Sequence, residues 1–115
     1  MSEFKNKNVI ITGASKGIGF ETAKIFLKEG ANISICSKNP KNLKNALKKL
    51  NKFKTKNQKI IFKVVNISNE KKIKDFVKYS IGKFKQIHIL INNAGIYGPK
   101  GETENVKWTE FKKAF

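Results

Sequence analysis

The residues best suited to chemistry in this chain are three glycines. Thr12–Gly19 reads TGASKGIG. Gly13, Gly17 and Gly19 fall directly after a short apolar run, Asn8–Thr12 (NVIIT), and directly before a stretch of helical apolar spacing. Between a strand and a helix, each glycine has its own task. The first permits the tight turn out of the strand, the second leaves no side chain to block a pyrophosphate, and the third lets the helix pack close to the sheet. The helix start then offers free N–H groups and the positive end of its dipole to phosphate oxygens. A glycine-rich turn without a ligand is the plainer alternative. The register of strand, glycines and helix argues for the phosphate.

The elements that must hold this turn can be read from the apolar pattern. Asn8–Thr12 has the look of a buried parallel strand. From Gly17 to about Glu29, apolar residues at Ile18, Ala23, Phe26 and Leu27, followed by Gly30, predict a helix with one core face and a glycine stop. Ala31–Cys36 (ANISIC) predicts a second strand. Asn39-Pro40 supplies an N-cap and a proline at the first helical position, and Leu43, Ala46, Leu47, Leu50 and Phe53 carry the helical spacing on. Lys59–Val65 (KIIFKVV) predicts a third strand. Ser68 is a candidate cap for a helix that buries Ile73, Phe76, Val77, Ile81 and Phe84. Ile87–Ile91 predicts a fourth strand, and a last helix is expected to start near Lys107 or Trp108 and run to Phe115. Alternating strands and helices with short connections imply βαβ units and a parallel α/β sheet of the doubly wound, Rossmann-like kind, with strand order 3-2-1-4. Residues 1–115 read as one dinucleotide-binding domain, incomplete at its C-terminus.

The spacing TGxxxGxG, with three residues between the first two glycines, resembles the short-chain dehydrogenase/reductase family. Asn92–Gly95 (NNAG), just after the fourth strand, is the family's second hallmark in its expected place. The resemblance runs through the whole chain. It implies that Ser15, Lys16 and Ile18 line a nicotinamide-dinucleotide site along with Gly13, Gly17 and Gly19. It also implies that Asn93, Ala94 and Gly95, with Asn92, support the sheet and border the ribose and adenine. Asn66 ends the third strand where the family commonly has an aspartate meeting the adenine amino group. An asparagine carbonyl can accept the same bond without charge, and the backbone N–H of Ile67 can serve the ring beside it.

The choice of dinucleotide turns on the end of the second strand. An NAD site usually holds an acidic residue there to accept from the ribose hydroxyls. This chain has Cys36-Ser37-Lys38-Asn39, and no Asp or Glu occurs from Ala31 to Asn69. Ser37 can donate to a 2′-phosphate, Lys38 can pair with its charge, and Lys16 can do so from the turn. NADP(H) is therefore the expected cofactor, with NAD(H) second.

By resemblance, the proton chemistry of the family uses a tyrosine with a lysine four residues later, after a fifth strand, together with a serine and an asparagine. The chain is expected to be a cofactor-binding fragment that stops before these residues, so no catalytic residue is assigned. As a fragment it is expected to be inactive alone, with a small carbonyl or alcohol as substrate of the full-length enzyme. Tyr79 and Lys83 match the YxxxK spacing. They lie on the helix between the third and fourth strands, on the flank of the sheet and away from the ligand end. His88 starts the fourth strand at the opposite end and has no metal-ligating neighbours at suitable spacing. Trp108 and Phe111 are expected to pack the last helix onto the sheet; the resemblance implies that this helix contributes to dimer contacts and that the full-length form is a homo-oligomer. A non-catalytic dinucleotide-binding module is the alternative.

Bulk composition is consistent with this reading. The chain has 115 residues and a formal charge of +17. Such charge invites a nucleic-acid partner. However, every basic residue is lysine, whereas recognition of phosphates and bases usually employs arginine. The lysines are spread from Lys5 to Lys113, which reads as solvated surface, so no specific nucleic-acid partner is expected. No apolar run is long enough to span a bilayer, and Met1–Ile10 lacks the apolar stretch of a secretory signal. Cys36 is the sole cysteine, which fits a reducing, cytoplasmic setting.

Overall fold

The structure is a computed structural model that describes residues 4–66 and 69–92. In chain order its elements are β1 (Asn8–Thr12), α1 (Gly17–Lys28), β2 (Asn32–Ser37), α2 (Pro40–Leu50), a 3₁₀ turn (Asn51–Phe53), β3 (Ile60–Val64), α3 (Glu70–Phe84) and β4 (Ile89–Asn92). All strand pairs are parallel and the sheet order is β3-β2-β1-β4. The 3-2-1-4 expectation therefore holds. The expected last helix lies outside the described residues.

Two apolar layers explain the strand sequences. Successive side chains of a strand point to opposite faces. Val9, Ile11, Ile33 and Ile35 thus meet Ala23 and Leu27 of α1 and Leu43 and Leu50 of α2 on one side. Ile10, Cys36 and Leu90 meet Phe76 and Val77 of α3 on the other. Val9, Ile10 and Ile11 are all 0% exposed, and burying each such side chain stabilises the fold by about 1.5–3 kcal/mol. A third layer-crossing contact is polar. The Ser80 hydroxyl donates to the Phe76 carbonyl at 2.9 Å and lies 2.6 Å from the buried Ser34 hydroxyl.

Several boundaries differ from the sequence reading. β2 runs from Asn32 to Ser37, β3 is one residue shorter at each end than Lys59–Val65, and β4 starts at Ile89. The second helix does not continue to Phe53 in α-form. It ends at Leu50 and tightens into the 3₁₀ turn, a common way to finish a helix. Phe53 still packs on the core, and the Lys24 and Lys28 ammonium groups lie 5.2 and 5.5 Å from its ring centroid. The cap of α3 is Asn69 rather than Ser68. Its side chain accepts from the Lys72 N–H at 3.1 Å, because it stands immediately before the first helical residue. Asn39 caps α2 as expected, accepting from the Asn42 N–H at 2.9 Å.

The C-terminal end of α1 is fastened unusually well. The Gly30 N–H donates to the Leu27 carbonyl and the Ala31 N–H to the Phe26 carbonyl, both at 3.0 Å, with Gly30 at φ +96°. This is the Schellman arrangement that glycine favours. The buried Gln58 amide adds bonds to the Leu27 carbonyl at 2.8 Å and the Ala31 carbonyl at 2.6 Å, and its oxygen accepts from the Thr55 N–H. Nearby, a chain of amides crosses the amino end of the sheet. Lys59 N–H donates to the Asn32 side chain, Asn32 to the Asn8 side chain, and Asn8 to the Gln86 carbonyl, at 2.8–2.9 Å.

The Tyr79–Lys83 pair sits on the flank of the sheet, as expected. The Tyr79 hydroxyl donates to the Phe62 carbonyl at 3.1 Å, and the Lys63 and Lys83 ammonium groups lie 4.8 and 5.9 Å from its ring centroid. The ring thus anchors α3 to β3. His88 is exposed, but its Nδ1 accepts from the Asn8 N–H at 2.9 Å, which fixes the start of β4 against β1.

Candidate functional site

At the carboxyl ends of β1 and β2 the chain turns sharply. Gly13 adopts φ +64°, and both its N–H and that of Ala14 donate to the Cys36 carbonyl, at 3.1 and 3.3 Å. These bonds tie the turn to the end of β2. Burial pushes the Cys36 thiol up to about 12, an effect partly offset by the Gly13 backbone. The thiol therefore stays protonated and is unsuited to nucleophilic work.

Lys16 follows in extended conformation as the N-cap of α1, without a side-chain cap bond. The first N–H groups of the helix are those that a helix leaves without intrahelical partners. No acidic residue occupies this first turn, which keeps the positive dipole end available to an anion. Gly17 has φ +56°, and a Cβ placed on it would meet nothing within 4 Å. The space over the turn is open. Gly19 is buried in the first turn, whereas Ile18 is 78% exposed beside it.

Hydroxyls link the turn to β2. The Ser15 and Ser37 oxygens are 3.0 Å apart, and the Asn39 N–H donates to Ser37 Oγ at 3.4 Å. Ser37 is only 6% exposed, so its first role is to join the two loops. Lys38 and Asn66 are exposed. At the end of β4, Asn92 accepts from the Thr12 hydroxyl at 2.9 Å, which locks the ends of β1 and β4 in line. Ile67, Asn93, Ala94 and Gly95 lie outside the described residues.

The structure adds a feature that the motif reading did not include. A groove of ≈ 320 Å³ opens beside the turn, lined by Ser15, Lys16, Gly17 and Phe20 and by Asn42, Asn45, Ala46 and Lys49 of α2. The α2 residues recur at helical spacing, so they share one face. That spacing was the available signal. It reads equally well as solvated surface without knowledge of what α2 faces.

The polar side chains of this end can all donate hydrogen bonds, and several carry positive charge. A dinucleotide with an anionic pyrophosphate fits that chemistry. Among the described residues there is no group of three or more His, Cys, Asp or Glu that could hold a metal ion. None of their helices is long and apolar enough to cross a membrane.

Parallel sheet, glycine turn and open helix N-terminus together define a Rossmann-like α/β protein. Comparison with known proteins narrows this further. The family model described as short chain dehydrogenase matches residues 7–115. The chain belongs to that family of oxidoreductases, whose members use NAD(P) cofactors. It is 38% identical over 113 residues to Dehydrogenase/reductase SDR family member 4 of Caenorhabditis elegans, an alignment covering 97% of this chain and 42% of that protein. Its structure resembles L-sorbose reductase from Gluconobacter frateurii in complex with NADPH and L-sorbose. There the TM-score is 0.74 and the identity 30%, over 84% of this chain and 36% of that one. It also resembles NAD+-bound xylitol dehydrogenase, with TM-score 0.74 and 27% identity over the same shares. The chain thus spans less than half the length of these relatives.

Proposed function

We propose that this chain is the cofactor-binding part of an NADP(H)-preferring carbonyl reductase or alcohol dehydrogenase. The observation that carries the preference is the charge around the end of β2. No carboxylate occurs between residues 31 and 69, and Lys38 follows Ser37 directly. An acidic side chain at this place would repel a 2′-phosphate, whereas lysine attracts it. Lys16, exposed at the start of α1, brings a second positive charge from the glycine turn. The likeness to proteins holding NADPH and NAD+ fits either cofactor, so the local charge decides the proposal.

In this reading the bound dinucleotide supplies or accepts the hydride. The chain's own residues bind and orient it. The first-turn N–H groups of α1 hold the pyrophosphate, and Gly17 leaves room for its oxygens. Lys16 and Lys38 neutralise the 2′-phosphate. The Ser15–Ser37 contact fixes the turn at the distance the ribose requires, and Asn66, with the Ile67 N–H, meets the adenine edge. Asn93, Ala94 and Gly95, which follow β4 in the sequence, are assigned to the ribose and adenine. Ile18 offers an apolar contact over the turn.

The test is a pair of dissociation constants, for NADPH and NADH, measured on the full-length protein by fluorescence titration. NADPH is expected to bind at least about tenfold tighter, since a charge-assisted contact contributes about 1.5–3 kcal/mol. Lys38→Asp should shrink that gap. Equal constants in the unmodified protein would overturn the preference.

A further inference from the structure

We infer that Lys49 and Asn42 of α2 complete the subsite for the phosphate on the adenosine 2′-hydroxyl. The inference rests on the NADP(H) reading above and extends it to a second element.

The groove beside the glycine turn has two walls. One carries Ser15, Lys16, Gly17 and Phe20 from the turn and α1. The other carries Asn42, Asn45, Ala46 and Lys49 from α2. The groove reaches the end of β2 through Ser15, whose hydroxyl lies 3.0 Å from that of Ser37. A phosphate carried on a ribose at the end of β2 therefore meets the mouth of this groove.

The lining chemistry matches a phosphate dianion. Lysine ammonium groups stand on both walls. Every other polar side chain in the lining is an amide or a hydroxyl that can donate, and no carboxylate is among them. Glu21 of α1 pairs instead with Lys24, at 3.6 Å. Two features favour Lys49 over the general lysine excess. Its ammonium lies 6.0 Å from the centroid of the Phe20 ring, another wall residue, and such a contact orients a cation. It also follows Asn42 by seven residues on α2, which puts both on one helix face.

The experiment uses the full-length protein and two probes, adenosine 2′,5′-bisphosphate and 5′-AMP, in calorimetric titrations. The unmodified protein should favour the bisphosphate. Lys49→Gln should lower the bisphosphate-to-AMP affinity ratio about tenfold, as expected for one lost charge-assisted contact. Lys49→Arg should restore most of that ratio. Asn42→Ala should lower it less than Lys49→Gln, and Lys52→Gln, in the 3₁₀ turn after α2, should leave it unchanged. AMP binding should stay constant throughout.

A ratio preserved in Lys49→Gln would overturn this inference and leave the NADP(H) preference standing. An equal loss in Lys52→Gln would replace the subsite with diffuse charge, and a loss of AMP binding in Lys49→Gln would make Lys49 structural; either overturns it. Equal binding of the two probes by the unmodified protein would overturn the NADP(H) reading, and this inference with it.

Discussion

The two ends of the parallel sheet are built differently. At the amino end, amide side chains of Asn32 and Asn8 link the backbone at Lys59, before β3, to the backbone at Gln86, before β4, and Gln58 holds the finish of α1 with two hydrogen bonds. At the carboxyl end, the side-chain links between loops are a few hydroxyl contacts, among them Ser15 with Ser37 and Thr12 with Asn92. There the backbone bends through Gly13 and Gly17 at positive φ, and the helix start offers donors rather than using them. The contrast separates two tasks. Strand ends that bind nothing can be laced together by amide side chains. Strand ends that receive a ligand keep donors and space open, and rely on the rest of the sheet for rigidity.

Three substitutions break or sharpen this contrast. The largest effect is expected from Gly17→Ala. In the left-handed region a side chain costs about 1–2 kcal/mol, and here the new Cβ has no protein neighbour, so stability should fall by no more than that. Cofactor binding should fall about 100-fold, because the methyl group takes space kept for the pyrophosphate. Unchanged dissociation constants would show that the open space over the turn is not the binding site.

Gln58→Ala should act in reverse. It removes donors from two buried carbonyls and the acceptor of the Thr55 N–H, which should cost about 2 kcal/mol in urea unfolding. Cofactor affinity should change less than twofold. A parallel loss of affinity would mean that the two ends are coupled.

Cys36→Ala probes the boundary between them. In the folded chain the thiol is held up to about 12 by burial, against an ordinary 9.0. The stability tied to this group is complete below pH 9 and is lost as pH rises towards 12, because the unfolded chain releases the proton first. Between pH 8 and 10, the unmodified protein should therefore lose about 1 kcal/mol more than the alanine variant. Identical pH dependence in urea midpoints would contradict a buried thiol.

What the sequence disclosed follows from how local each signal is. The glycine turn, β1 and α1 were legible together, because strand, turn and helix adjoin in the chain and their patterns reinforce one another. Strand order followed from βαβ handedness. The cap of α3 was misplaced by one residue because Ser68 and Asn69 are both good caps, and only the geometry chooses. Gln58 gave no sign of its role, since its partners Leu27 and Ala31 lie 31 and 27 positions away. Lys49 was hidden for a related reason. A lysine on a helix face reads as solvated until the opposite wall is known. Ser37 was read as a ligand donor, but it is also an internal link, and its burial is a property of the folded loops.

Tyr79 carries a last consequence. On either side of β3, the Lys59 carbonyl accepts from the Ile33 N–H, and the Val65 N–H donates to the Ser37 carbonyl. Odd-numbered residues thus bond to β2, and Phe62 directs its backbone groups away from the sheet. The Tyr79 hydroxyl occupies that outward carbonyl, with the Lys63 ammonium over its ring. An incoming extended peptide would have to displace both to add a strand here. Tyr79, whose spacing to Lys83 imitates a proton-transfer pair, thus covers this sheet edge together with Lys63 of β3, and a covered edge is protected from edge-to-edge pairing.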